Sequence, residues 1–354
     1  MRLNHSGASF VLPWGPKSSP LDNTSWREPS YGVTNITAGT LCPANASRCG
    51  VDFQEGHTLV VWLYGSAFLL GLATNSVTLR PLLQKVRLGN TLAIYLLSLV
   101  VSDLLYLFTL PLWIVYVLRG HRWPFGGLAC HVAGFLFYSN MYVSIFLLCA
   151  ISLERYLAVV HPLHFLGLRS CLSALLVCAS VVLLVFLAHV AILLSSEVQQ
   201  QESCYDHYPL QPGVAMFNYF RVALGFALPL IILEISYLRI VQGVRASETL
   251  LDRQKVKVQR RSLAVIAIFL LCFAPYHILL LARSVAASLL DPCSLCAFEQ
   301  RLHLPFFLSL ATSSFNSALD PILYTLVSNE VKEDLKKAFS CRPRFYPVQG
   351  SVAM

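Results

Sequence analysis

Charge is what this sequence has least of. Of 354 residues, Asp, Glu, Lys and Arg make up only 12%, while hydrophobic residues make up 56%. Soluble domains carry roughly 25% charged residues. A soluble fold with so few could not cover its surface, and the mean hydropathy of +0.62 agrees. One large soluble domain or two ordinary ones, which length alone would allow, are both excluded. Much of the chain has lipid as its solvent. Internal repeats and low-complexity tracts are also missing, and no basic leader precedes a short apolar stretch. No cleavable signal peptide is therefore expected, and the first membrane helix directs insertion. The net charge of +8 would suit nucleic acid, but Lys and Arg lie between apolar blocks. No nucleic-acid partner is expected; membrane proteins distribute cations this way on their cytoplasmic side.

The eleven cysteines divide by surroundings. Cys149, Cys171, Cys178 and Cys272 sit in apolar runs, where a thiol behaves as a small hydrophobe. Cys42, Cys49, Cys130, Cys204, Cys293 and Cys296 lie in or beside polar segments, enough for three bridges in an oxidising compartment. Cys341 stands alone near the C-terminus.

Residues 1–56 are rich in Ser, Pro, Gly, Asn and Thr, without helical period, and hold four glycosylation sequons, at Asn4, Asn23, Asn35 and Asn45. They read as a disordered, glycosylated, extracellular tail. Seven apolar blocks follow at about 58–83, 91–118, 128–159, 170–194, 214–244, 256–288 and 300–327. Each is near or above the ~20 residues that cross ~30 Å of hydrocarbon. Lys85, Arg87, Arg169, Arg239, Arg245, Arg253, Lys255, Lys257, Arg260 and Arg261 crowd the connections of one face. That bias puts the N-terminus outside and the C-terminus inside, in the plasma membrane. Residues 329–341 read as an amphipathic membrane-surface helix: Val331, Leu335 and Phe339 form its apolar stripe, and Lys332, Lys336 and Lys337 suit anionic lipid. Residues 342–354 form a cytoplasmic tail. The fold class is an all-α membrane protein, a seven-transmembrane helix bundle over 57–328 with a short surface helix after it.

Polar and helix-breaking residues inside the blocks are costly in lipid unless paired or functional. In order, they fall within Gly71–Asn75, Leu99–Asp103, Glu154-Arg155-Tyr156, Pro229 with Tyr237, Cys272–Pro275 and Asp320–Tyr324. Over about residues 57–341 the chain thereby resembles the rhodopsin-like (class A) G-protein-coupled receptors. The resemblance implies a receptor, not an enzyme, with a heterotrimeric G protein, and arrestin as a further candidate, as partners. It implies activation through Glu154, Arg155, Tyr156, Tyr237, Phe273, Pro275, Asp320, Pro321 and Tyr324. Arg155 would pair with Glu154 at rest and be released on activation, Tyr237 and Tyr324 would swing inward, and Pro275 would hinge helix six. Two departures stand out: helix four lacks the family's Trp, and Phe273 replaces the Trp above the helix-six hinge.

Asn75, Asp103, Ser144, Asn316, Ser317 and Asp320 fall within range of one another as a buried polar pocket for water, a proton or a sodium ion near Asp103. No other cofactor or metal is expected. The resemblance also implies a Cys130–Cys204 bridge. Cys49 and Cys296 precede helices one and seven, neighbours in this fold, so a second bridge is expected there. Cys42 and Cys293 are then left for a third. Cys341, following the surface helix, is placed to carry a palmitoyl anchor.

An amine receptor needs an acid eight residues after Cys130, where this chain has Tyr138. The pocket candidates are instead Tyr138, Tyr142, Arg221, His277, Arg283 and Arg301, a basic and aromatic set suited to an anionic amphiphile. Asp103–Trp113, Gly134–Tyr142, Ala274–Leu281 and Cys296–Leu302 resemble the proton-sensing and lysolipid-linked receptors, and among them the G2-accumulation branch. That implies activation by extracellular acid, by oxidised fatty acid or lysolipid, or by both. His57, His121, His131, His207, His277 and His303 titrate near the right pH, and Glu299, with Glu202 and Asp206, would join them. The acid common in helix four of acid sensors is absent, since Val181–Leu187 is wholly apolar. A peptide or nucleotide receptor is the alternative. A seven-helix zinc hydrolase lacks its ligand cluster, and a transporter lacks its repeats.

Overall fold

The structure is a computed structural model; it describes residues 49–162, 170–195, 203–206, 208–248 and 251–327. The expected tail before residue 49, with its sequons and Cys42, lies outside the described residues. So do Glu202, His207, the surface helix and Cys341.

Among the described residues the chain forms a seven-helix bundle. Helix one is His57–Arg87, and helix two is Thr91–Leu107 followed by Leu110–Leu118. Helices three and four are Gly126–Val160 and Cys171–Ser195. Helix five runs Pro212–Val222, makes a π-helical turn at Ala223–Ala227, and continues Leu228–Ala246. Helix six is Asp252–Leu289; helix seven is Pro292–Ser313 and Phe315–Val327. Helices one to six are long and apolar enough to cross a membrane. Helix seven is not among the helices that meet this length and apolarity within the described residues.

The interruptions have local causes. Helix two breaks at Thr109, whose hydroxyl donates to the Tyr106 carbonyl at 2.7 Å, two residues before Pro111. Proline offers no N–H there and crowds the preceding turn. Helix seven yields at Ser314, whose hydroxyl donates to the Leu310 carbonyl and accepts from the Tyr106 hydroxyl at 2.5 Å. Helix seven also begins eight residues before its apolar block. Asp291 caps it, its carboxylate accepting from the N–H groups of Cys293 and Ser294 at 3.1 Å, and Pro292 takes the first helical position. Hydropathy alone starts this block only at residue 300, because the capping turn is polar.

Leu82, Leu96, Leu99, Leu107, Ile145 and Leu147 fill the seams between helices, while Leu69, Leu175, Leu183, Ile231 and Leu271 face outward. Lipid is as apolar as leucine, so outward residues give no driving force and the bundle depends on close packing and polar contacts. Asn75 is one such contact. Its amide donates to the Gly71 carbonyl at 2.9 Å and the Ser317 carbonyl at 2.7 Å, joining helix one to helix seven.

The boundary expected at residue 56 is corrected in one respect. Residues 49–56 belong to the helical body: Cys49 is bridged to Cys296, and the Gln300 amide donates to the Gly50 carbonyl at 2.9 Å. Hydropathy could not reveal this, because a covalent bond and ring contacts hold the segment.

Candidate functional site

One end of the bundle carries the disulfides. Cys130 at the start of helix three is bonded to Cys204, with Cα atoms 5.7 Å apart, and Cys49 to Cys296 at 5.3 Å. Cys293 is also disulfide-bonded; its expected partner, Cys42, lies outside the described residues.

Beneath these bridges Asp206 is a hub. Its carboxylate accepts from the Tyr116 hydroxyl and pairs with His121 Nδ1, both at 2.6 Å. Burial pushes its pKa up, but the His121 ring and the two hydrogen bonds outweigh that and hold the carboxyl below its ordinary value. Phe53 stacks on His121 at 4.5 Å and meets His303 edge-on at 5.1 Å. The two imidazoles lie 5.8 Å apart, and His303 Nδ1 lies 2.9 Å from the Tyr208 hydroxyl. Of the expected titrating histidines among the described residues, the structure brings only His121 and His303 together. His57 bonds the Gln54 carbonyl, His131 contacts Tyr205, and His277 lies deep in the bundle.

Arg283 and Glu299 form a separate buried pair. Arg283 Nη2 reaches Glu299 Oε1 at 3.2 Å, and both carboxylate oxygens accept from the Leu210 N–H. Arg283 lies over Phe306 and Tyr208, at 4.6 and 4.9 Å. It is therefore engaged with Glu299 and does not join the other pocket candidates. Arg301 is exposed on helix seven and does not join them either.

The remaining candidates do converge. The Arg221 guanidinium donates from Nε to the Tyr142 hydroxyl at 3.0 Å. It donates from Nη2 to the Tyr276 hydroxyl at 2.6 Å, and from Nη1 to the Asn218 side-chain Oδ1 at 3.2 Å. Its carbon lies 5.0 Å from the centre of the Tyr138 ring. No carboxylate pairs with it among the described residues. His277 Nε2 lies 3.4 Å from the Tyr142 hydroxyl. Tyr205 packs on Gly134 so closely that any Cβ there would collide with its ring, and it approaches Tyr138 at 5.8 Å. Tyr276 and Asn218 were not anticipated. Each lies in an apolar stretch with nothing to distinguish it until Arg221 is seen to lie between helices.

Deeper in the bundle, Asp103 and Asp320 are fully buried and within hydrogen-bonding reach of one another. The Asn140 amide donates to Asp103 at 2.9 Å and its oxygen accepts from Ser317 at 3.3 Å, while Asn316 donates to Asp320 at 3.1 Å. Asn140 is the central residue here, where the sequence had suggested Ser144. Ser144 is buried but makes no hydrogen bond within this set. Both project from helix three, four residues apart on one face, and sequence alone gave no reason to prefer the amide.

At the opposite end, Glu154 Oε1 accepts from the Thr91 hydroxyl at 3.2 Å, and Tyr156 lies 3.1 Å from His161 Nε2. Tyr237 and Phe273 are buried, Phe273 edge-on to Phe269 at 5.2 Å. Pro275 and Pro321 are accommodated inside helices six and seven. Tyr324 lies in the last helical segment.

A multi-pass bundle bridged from helix three to the segment before helix five, with a polar cluster at mid-depth and Glu-Arg-Tyr near the end of helix three, defines a seven-transmembrane receptor. Residues 74–324 match the family model of the 7 transmembrane receptor (rhodopsin family), and the chain belongs to that family. It is 37% identical over 311 residues to the Probable G-protein coupled receptor 132 of Mus musculus, covering 87% of this chain and 80% of that protein. It is 36% identical over 307 residues to the G-protein coupled receptor 68 of Homo sapiens, covering 86% and 81%. To the Uracil nucleotide/cysteinyl leukotriene receptor of Homo sapiens it is 34% identical over 311 residues, covering 86% and 81%. The protein is a G-protein-coupled receptor of the membrane and not an enzyme.

Proposed function

We propose that this receptor responds to an anionic amphiphile, an oxidised fatty acid or lysolipid, with extracellular acid as a modulator. The disulfide end then faces outward at the plasma membrane, and the opposite end engages a heterotrimeric G protein, with arrestin as a further partner. One observation carries the reading: the half-buried Arg221 guanidinium is surrounded by phenols and an amide, with no carboxylate partner among the described residues. A cation partly withdrawn from water without a counter-ion is costly, and an anionic headgroup would supply the missing charge through charge-assisted hydrogen bonds. The tyrosine rings would flank the first carbons of an acyl chain. At mid-depth, the oxygens of Asp103, Asn140, Ser317 and Asp320 suit a water, a proton or a sodium ion.

A nucleotide is the second reading, favoured by the similarity to a receptor whose name includes uracil nucleotide. Against it, Arg283 is held by Glu299, leaving one guanidinium for a polyphosphate. Second-messenger output in transfected cells, across pH 6 to 8, separates the two. A hydroxylated octadecadienoate should evoke a signal that Arg221→Gln weakens roughly tenfold to a hundredfold in potency, as expected for one charge-assisted contact. Activation by uridine nucleotides with no response to carboxylated lipid would overturn the proposal.

A further inference from the structure

Tyr142 and His277 lie between the Arg221 site and the π-helical turn of helix five, and no motif explains their arrangement. His277 Nδ1 is 2.7 Å from the Phe273 carbonyl, which can only accept, so Nδ1 carries the proton. Nε2 of the neutral ring is then an acceptor, facing the Tyr142 hydroxyl at 3.4 Å. That hydroxyl accepts from Arg221 Nε at 3.0 Å, which leaves its own proton for His277. Donor and acceptor assignments agree along the whole chain: Arg221 to Tyr142, Tyr142 to His277, His277 to the helix-six backbone next to Pro275.

Both intermediate residues also bear on the π-helical turn. A Cβ on Gly225 would come within 2.6 Å of Tyr142 Cε1, so the phenol lies directly on the backbone of the turn. Phe226, the next residue, stacks on His277 with centroids 4.5 Å apart and an interplanar angle of 11°. It stacks again on Phe269 at 5.8 Å. π-Helical turns in α-helices frequently mark functional sites. Hydrogen-bond chains in a low dielectric polarise one another.

We infer that Tyr142 and His277 are positioning residues that couple the anion site at Arg221 to the π-helical turn of helix five and the Pro275 region of helix six. When an anion takes the Arg221 Nε–H, Tyr142 loses a donor, its bond to His277 changes, and the two rings holding the turn shift together. The inference rests on Arg221 being the anion site, but its test needs no ligand.

Hydrogen–deuterium exchange of the full-length receptor in nanodiscs measures protection of the amides at 224–228. Arg221→Gln should raise their exchange several-fold, up to about tenfold, the scale of one hydrogen bond. In a Tyr142→Phe background the same change should have no further effect. His277 gives a second discrimination. Glutamine can both donate to Phe273 and accept from Tyr142, while phenylalanine keeps the stack and breaks the chain. His277→Gln should preserve the Arg221 effect and His277→Phe should abolish it; a purely packing role requires the reverse. Additive effects of Arg221 and Tyr142 changes, or preservation of the effect by Phe at 277, would overturn the inference. Separately, failure of a carboxylated lipid to evoke any signal while this coupling is intact would refute the proposed ligand and leave the relay standing.

Discussion

At the scale of single residues, the Arg283–Glu299 pair shows how much a contact contributes when lipid and protein exclude water. Glu299 is fully buried and accepts from Arg283 and from the Leu210 N–H, so one carboxylate ties helices six and seven to the segment entering helix five. Removing one partner of a buried pair leaves an uncompensated charge and costs about 3–5 kcal/mol. Glu299→Ala should lower the thermal unfolding midpoint of the purified receptor by several degrees, and Glu299→Gln, which still accepts from Leu210, by less. An unchanged midpoint in Glu299→Ala would show that the pair contributes no net stability. Residues of this kind were only half legible. Arg221, Asp103 and Asp320 stood out because ionisable groups are rare in apolar blocks. Asn140 and Tyr276 did not, because their roles come from partners far away in sequence.

At the scale of elements, the seven blocks and their proline-bearing segments could be read from hydropathy, but three features could not. The early start of helix seven follows from the Asp291-Pro292 cap. The π-helical turn of helix five leaves no periodic trace in a uniformly apolar run. The 49–56 segment is held by Cys49–Cys296 and by Phe53 between His121 and His303. If the bridge holds that segment, Cys49→Ser should increase backbone exchange across 50–56 and raise the solvent accessibility of His121, read by diethylpyrocarbonate labelling. Equal labelling with and without the bridge would show that ring contacts suffice. The proposed G-protein coupling falls at the Glu154-Arg155-Tyr156 end of helix three. Arg155→Ala should abolish receptor-catalysed nucleotide exchange while surface expression remains near that of the parent. Full exchange in that variant would contradict the role assigned to Arg155.

For the whole molecule, the question is how large an acid response this arrangement of titrating groups supports. Moving a two-state equilibrium from 1:99 to 99:1 takes ~5.5 kcal/mol. A proton taken up by only one state contributes at most ~1.4 kcal/mol per pH unit. About four coupled groups would therefore be needed to complete the change within one unit. Only two clustered histidines, His121 and His303, are present among the described residues, and helix four adds no carboxyl to Asp103 and Asp320. Asp206 does not add a third. Its carboxyl is held below the ordinary range, so its stabilising charge is fully present above the unfolded-state pKa and fades only as pH falls through the lower folded-state value. Across pH 6 to 8 it stays ionised and serves as a fixed partner for His121. Two fully titrating groups would set an upper bound of about 2.7 kcal/mol per pH unit, half of what a sharp switch demands, and the burial of His303 reduces its share of that. On the proposed acid modulation the signalling state is the one that binds these protons more tightly, so signalling should rise as pH falls and fade as it rises again. The response should extend over about two pH units, with a Hill coefficient no greater than about 2. His121→Phe or His303→Phe should flatten it without removing the lipid-evoked signal. Second-messenger output titrated from pH 8 to 5.5 provides the measurement. A transition completed within half a unit would require titrating groups beyond these two.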